Sequence, residues 1–83
     1  MRIDKPLPGD LVIRCLPGPN ARNRSAYVIT LWPDAERVVA GPYQSFGYAL
    51  RQAQQLITDP SIYIWRDHAT NGAPEQLEDV TPD

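Results

Sequence analysis

The side chains best suited to catalysis or metal binding are few in this sequence and lie far apart. His68 is the only histidine and Cys15 the only cysteine. A metal site usually needs three or four ligands, and a catalytic Cys–His pair must meet in space. We therefore interpret His68, which follows Asp67, as an ordinary loop residue and Cys15 as a small core residue. The sequence predicts no catalytic residue, no metal site and no cofactor, and we expect that the protein is not an enzyme.

A second group of side chains is suited to binding. Trp32, Tyr63 and Trp65 could stack on bases, with Arg14 and Arg37 beside them. The chain carries 8 basic and 10 acidic residues, a net charge of −2, which disfavours nucleic acid as the partner. We prefer the interpretation that these aromatic residues form a second small core or the contact between two copies of the chain.

Two further arginines, Arg22 and Arg24, lie in a loop-like stretch at 17–25 that is rich in Pro, Gly and Asn. They could close on an anion or on an acidic partner, although loop arginines are more often simply solvated. The stretch lacks the lysine and the Ser/Thr of a phosphate-binding loop, so that motif is excluded.

Length and composition indicate a single small domain over residues 1–83, with 42% hydrophobic and 22% charged residues. One cysteine cannot form an internal disulfide, and the start of the chain has no apolar signal-peptide segment. No apolar run approaches the roughly 20 residues of a membrane span. We expect a cytoplasmic protein with no membrane partner, an irregular arm at 1–10, and a loop with an acidic tail at 67–83.

Four segments have the composition of strands: Leu11–Leu16, 26–32, 36–40 and 62–66. The short polar turn after the second segment predicts an antiparallel hairpin with the third. Gly41 and Pro42 are expected to end the third strand. Residues 77–80 are either a short extra strand or the trailing end of the chain.

Between the third and fourth strands the apolar pattern changes to a helical period. The apolar residues recur at spacings of three and four, which is typical of one helix face; they are Phe46, Ala49, Leu50, Ala53, Leu56 and Ile57. Ser45 is expected to cap the helix N-terminus. Asp59, which precedes Pro60, is expected to end the helix.

The order of predicted elements is therefore β-β-β-α-β. The fold class is α+β: a three- to four-stranded, mostly antiparallel sheet with one amphipathic helix on one face. An alternative comes from residues 7–12, Leu-Pro-Gly-Asp-Leu-Val, which resemble the opening turn of small SH3-like barrels. That alternative fold is a partly open barrel with a helical insertion.

Strand alternation predicts which side chains face the helix. The inward set is almost entirely aliphatic and consists of Leu11, Ile13, Cys15, Tyr27, Ile29, Leu31, Val38, Ala40, Ile62 and Ile64. The outward set is Val12, Leu16, Val28, Trp32, Val39, Tyr63 and Trp65, together with Arg14, Thr30 and Arg37. So large an apolar face would exceed the patches common on monomers, so we expect it to be covered by the arm, the tail, a second copy or a ligand.

The function predicted from this outer face is that of an interaction or accessory domain. It would form homodimers or dock to another protein through an apolar face that includes Trp32, Tyr63, Trp65, Val28, Arg14 and Arg37. The alternative is single-stranded nucleic-acid binding by the same aromatics with Arg14, Arg22, Arg24 and Arg37.

Overall fold

The computed structural model describes residues 6–16, 26–68 and 77–81. Along the chain these residues form β1 (Leu11–Leu16), β2 (Ala26–Leu31), β3 (Asp34–Tyr43), α1 (Phe46–Leu56), β4 (Ile64–Asp67) and β5 (Leu77–Asp79). The strands make one mixed sheet in the order β3-β2-β1-β4-β5. The small α+β fold predicted from the sequence is confirmed, and in the described residues the sheet is open at β3 and β5, which favours it over the barrel alternative.

Strand β1 lies at the centre of the sheet because it is apolar on both faces. Val12 and Ile13 are 0% and 1% exposed. β1 pairs antiparallel with β2, placing Val12 opposite Thr30, but parallel with β4, placing Val12 opposite Trp65. The prediction of a mostly antiparallel sheet is therefore only roughly right. β4 can lie parallel to β1 because α1 supplies the crossover that parallel neighbours require.

The fifth strand, Leu77–Asp79, is the short extra strand that was one of two alternatives for residues 77–80, within the region otherwise predicted as a loop and acidic tail. Asp67 belongs to β4 and pairs antiparallel with Leu77 of β5. The Val80 N–H donates to the Ile64 carbonyl at 2.9 Å, and the Thr81 hydroxyl donates to the same carbonyl at 3.1 Å. β5 is short and acidic, so its composition gave little strand signal, and its pairing with β4 holds it in place.

Strand β3 continues past the glycine and proline that were expected to end it. Gly41 has a φ of +112°, and a Cβ there would lie 3.0 Å from the Tyr27 carbonyl oxygen and 3.1 Å from the Val28 Cα. The pairing of β2 with β3 also shifts register along its length. The predicted end at Gly41 and Pro42 is wrong because a residue without a side chain lets the strand bulge and continue.

Helix α1 begins as predicted and ends slightly earlier than predicted. The Ser45 hydroxyl accepts from the Tyr48 N–H at 3.2 Å, which confirms the N-cap. The last helical residue is Leu56. Ala49 and Ala53 are both fully buried against the sheet, because their small side chains allow close approach of the helix.

The core lies between α1 and the sheet and follows the predicted inward face with two exceptions. Its buried members are Leu11, Ile13, Ile29, Ala49, Ala53 and Ile64. Cys15 is exposed because it lies near the end of β1, outside this cluster. Val38 is 50% exposed, and it pairs with Thr30 while Ala40 pairs with Ile29. The register shift at Val39 therefore turns Val38 away from the core, so the inward assignment of Val38 is wrong. Cys15 pairs with Tyr27, which packs on the core, so its predicted face is right, but the expectation that it is a buried core residue is wrong.

Candidate functional site

The sheet face opposite α1, called the far face here, comprises Val12, Arg14, Val28, Thr30, Trp65 and Asp67, and the exposed Val38 lies at its margin because it pairs with Thr30. Directly paired residues share a face, and Val12 pairs with both Thr30 and Trp65. Thr30 is 1%, Trp65 2% and Val28 5% exposed within the single chain. The expected bare apolar surface is therefore closed, and as folded Trp65 and Val28 offer neither a docking surface nor a stacking platform.

Trp65 is held on the far face by a buried carboxylate, Asp10, which is 3% exposed. The indole N–H of Trp65 donates to Asp10 Oδ2 at 3.1 Å. The Leu7 N–H donates to the same oxygen at 2.9 Å, and the Tyr63 N–H donates to Oδ1 at 3.1 Å. The Asp10 side chain thus connects three parts of the fold: the segment before β1, Tyr63 before β4, and the Trp65 ring.

The turn that presents Asp10 explains why this acid is buried. The Asp10 N–H donates to the Leu7 carbonyl at 2.9 Å, closing a turn in which Pro8 takes the second position. Gly9 takes the third with a φ of +100°, a conformation that favours glycine. Asp10 is not among the predicted site residues, because Pro-Gly-Asp suggests an ordinary surface turn. Its position directly before the most buried strand is the signal that could have identified it.

The backbone around Trp32 and Tyr63 completes the attachment of this turn. The Trp32 N–H donates to the Asp10 carbonyl at 2.9 Å, and the Gly9 N–H donates to the Trp32 carbonyl at 3.1 Å. On the other side of β1, the Leu11 N–H donates to the Tyr63 carbonyl at 3.0 Å. Both aromatic side chains are half-buried.

The predicted binding arginines are not brought together. Arg14 Nη1 donates to Asp67 Oδ2, and the two side chains are 14% and 5% exposed, so this cation is neutralised by an internal partner. Arg37 is exposed on β3. Arg22 and Arg24 lie outside the described residues.

His68 and Cys15 lie at the same end of the sheet as exposed residues. His68 Nε2 is 2.7 Å from Glu78 Oε2, and the two side chains are 39% and 61% exposed. Within 6–16, 26–68 and 77–81, no group of three or more His, Cys, Asp or Glu residues could hold a metal ion. In the same ranges, no helix is long and apolar enough to cross a membrane.

An open groove of about 300 Å³ lies beside the end of α1 and is lined by Gln54, Ile57, Pro60, Ile62 and Thr81. The Thr81 hydroxyl in this lining already donates a hydrogen bond to the Ile64 carbonyl. Nothing in the lining selects a particular ligand.

The exposed outer strand of the sheet, called the β3 edge here, comprises Glu36, Arg37, Val38 and Val39. β3 is one of the two end strands of the sheet, and among the described residues no strand pairs with its outer side. All four residues are exposed, Val38 by 50% and Val39 by 42%. A strand with one covered face would alternate between buried and exposed residues, so both faces of β3 are bare here. Alternation placed Val38 in the core, which is why this edge was not predicted.

Comparison with known proteins does not assign a function to these residues. No protein-family model, no curated protein and no solved structure matches the chain.

Proposed function

We propose that this protein is a non-enzymatic interaction domain that binds an extended polypeptide strand along the β3 edge. One observation carries the proposal: β3, an end strand of the sheet, has four consecutive exposed residues, two of them valines. The predicted interaction function is kept, but its surface moves from the far face to the β3 edge.

The chemistry of an end strand selects its partner. Its outer N–H and C=O groups can form a ladder of hydrogen bonds with any extended backbone. Val38 and Val39 add apolar contacts on the two faces, and burying the exposed half of each valine contributes about 1 kcal/mol. A partner with branched apolar side chains therefore fits this edge best.

The length of the β3 edge is limited by features that natural sheets use against aggregation. Pro42 has no N–H and follows Gly41, whose φ is +112°. Asp34 at the other end belongs to the turn, where its carboxylate accepts from the Glu36 N–H at 3.0 Å. Pairing is thus restricted to the few residues around the two valines, which favours a short, specific contact.

The internal bonds of the far face favour a polypeptide partner over single-stranded nucleic acid. The Trp65 ring is buried and bonded to Asp10, and Arg14 is paired with Asp67. Stacking on bases needs an accessible ring, and the net charge of −2 adds repulsion from phosphates.

The proposal is tested by NMR titration with a short synthetic peptide of alternating valine and threonine. We expect shift changes and slowed amide exchange at the β3 edge. Val39→Lys should abolish both, whereas Leu56→Lys should not, because Leu56 is a similarly exposed apolar residue (45%) on α1. No binding at millimolar peptide, or shifts equally affected by both variants, would overturn the proposal.

A further inference from the structure

We propose that the sheet face that packs on α1 holds a binding site for a small aromatic carboxylate, at the end of the sheet where β1 and β4 finish. The guanidinium of Arg66 binds the carboxylate, and neighbouring aromatic side chains contact the ring of the ligand. This site is separate from the β3 edge and does not depend on the polypeptide binding proposed above.

Four aromatic side chains form a row at this end of the sheet, called the aromatic row here; they are Tyr27, Tyr43, Phe46 and Tyr48. Tyr27 and Tyr43 are direct partners across β2 and β3, and both pack on the core. The Tyr27 ring centroid lies 6.1 Å from that of Phe46, and the Tyr43 ring centroid lies 5.2 Å from that of Tyr48. None of the four side chains is fully buried, and Tyr48 is 53% exposed. The row therefore leaves aromatic surface within reach of a ligand.

Arg66 adds a positive charge at one end of the aromatic row. It pairs with the core residue Ile13, and its guanidinium carbon lies 4.0 Å from the centroid of the Phe46 ring. The ring attracts the cation, but it accepts none of the strong hydrogen bonds that the five guanidinium N–H groups can donate. Arg66 is only partly exposed, and among the described residues it forms no ion pair. Because charges removed from water are normally paired, this cation favours an anionic ligand.

The acidic residue paired with Arg66 across β4 and β5 is Glu78, and its carboxylate contacts another side chain. Glu78 Oε2 lies 2.7 Å from His68 Nε2, and the Glu78 side chain is 61% exposed. Glu78 thus lowers the positive potential around Arg66 without forming an ion pair with it. The guanidinium keeps its donors for a ligand, and the number of negative charges that the site can accept is limited.

These groups together select a flat ring that carries one carboxylate. A guanidinium is planar and donates two parallel N–H bonds to a carboxylate, which gives both strength and orientation. Because Glu78 repels a second negative charge, a singly charged carboxylate fits better than a doubly charged phosphate. Aromatic rings pack on one another in offset or edge-to-face arrangements, so the aromatic row favours an aromatic over an aliphatic acid.

NMR titration of the full chain with naphthoate tests the site. We expect saturable shift changes at the aromatic row and Arg66 with a dissociation constant of about 1 mM, the value typical of so small a ligand. The neutral isostere naphthamide should bind about five-fold more weakly, and Arg66→Gln should weaken naphthoate binding by about the same factor. The matched control is Arg51→Gln, which removes an exposed arginine of α1 and should leave binding unchanged. No saturation at about 10 mM naphthoate, or equal effects of the two variants, would overturn the proposal.

Cys15 provides a second measurement, because its exposed thiol belongs to the residue paired with Tyr27 of the aromatic row. The thiolate attacks an aromatic disulfide reagent, forms a mixed disulfide and releases an aromatic thiolate. A nitrobenzoate disulfide, which carries carboxylates, should react about three-fold more slowly with Arg66→Gln than with the native chain. A neutral pyridine disulfide should react with both at the same rate. An equal change for the two reagents would show that only the thiol was altered, and would contradict the site.

Two further measurements keep the proposal testable if Arg66→Gln does not fold, which circular dichroism shows. Glu78→Gln removes the negative charge opposite Arg66 and should tighten naphthoate binding about two-fold; unchanged binding would contradict Arg66 as the group that holds the carboxylate. Naphthyl phosphate tests the choice of anion. It should bind no more tightly than naphthoate, and tighter binding would overturn the assignment of a carboxylate.

Discussion

The carboxylate of Asp10 should be the most sensitive polar group in this fold. It accepts hydrogen bonds from the Trp65 indole at 3.1 Å and from the backbone N–H groups of Leu7 and Tyr63 at 2.9 and 3.1 Å. Asp10→Ala removes the acceptor for all three donors without touching the apolar core. We expect a large loss of stability with little change in packing.

The size of the loss follows from the burial of the donors. A fully buried donor left without a partner costs about 2 kcal/mol, and each of the two half-buried backbone donors costs about 1 kcal/mol. The sum is about 4 kcal/mol. A domain of 83 residues is typically stable by about 4–12 kcal/mol. Asp10→Ala should therefore leave a substantial fraction of molecules unfolded at 37 °C.

Two related variants separate the contributions. Asp10→Asn keeps one oxygen, but its amide NH₂ meets at least one of the three N–H donors in either orientation, so it should cost about 2 kcal/mol. Trp65→Phe removes the indole donor, and in that background Asp10→Ala should cost about 2 kcal/mol less than in the native chain.

Urea denaturation followed by far-ultraviolet circular dichroism measures these differences. The matched control is Asp34→Ala, since Asp34 is exposed and accepts a single backbone bond, from Glu36. Its effect should stay below about 1 kcal/mol. If Asp10→Ala were no more destabilising than this control, the assignment of Asp10 as the acceptor that fixes Trp65 would be refuted.

Four further outcomes are expected. Gly41→Ala should lower stability by about 1–3 kcal/mol in thermal denaturation, because alanine disfavours the backbone conformation at this position and would crowd β2; an unchanged melting temperature would contradict the bulge. Arg14→Met should cost about 3 kcal/mol in urea, because it removes a cation that is paired with a buried carboxylate, and an effect as small as that of an exposed arginine would contradict the pair. The Cys15 thiol is exposed and should react with a thiol reagent as completely in the folded chain as in urea; protection in the folded chain would place it back in the core. The backbone N–H of Ser61, and then its side chain, lower the pKa of Asp59; the resulting stabilisation is present above about pH 4 and is lost as pH falls through the lowered pKa, so Asp59→Asn should make acid denaturation shallower, and an identical acid transition would count against it.

Periodicity in the sequence was sufficient for the parts of the fold where side-chain pattern and backbone regularity agree. The helix and its Ser45 cap, together with the inward faces of β1, β2 and β4, follow from spacing alone, because most apolar residues there have one core to enter. Leu56 and Cys15 are exceptions in burial, since both are exposed near the ends of their elements. β3 departs because register shifts change the face of successive residues, and alternation cannot anticipate a bulge. In the sequence, Gly41 was a signal of an irregularity in β3, but a glycine beside a proline is also typical of the end of a strand.

The sequence predicted several residues of the far face, but it did not predict that they are buried within the single chain. Val12, Val28, Thr30 and Trp65 were correctly assigned to this face and Val38 was not, and the sequence alone did not show that Asp10 would anchor the indole. A single carboxylate in a turn became the acceptor for three donors only because β4 pairs with β1 in parallel, which brings residues 63 and 65 beside residue 10. Parallel pairing is a tertiary event with no local signature in a chain of this length.

The closure of the far face decides where association can occur on this molecule. An apolar sheet face that is already buried gains nothing from a partner, since the driving force of association is surface removed from water. The surface left to bury includes Val38 and Val39, which lie on a strand whose outer side pairs with no other strand among the described residues. Because hydrogen-bonding groups and exposed valine side chains coincide on β3, an extended segment is the ligand that satisfies both, and the β3 edge is where binding should be sought.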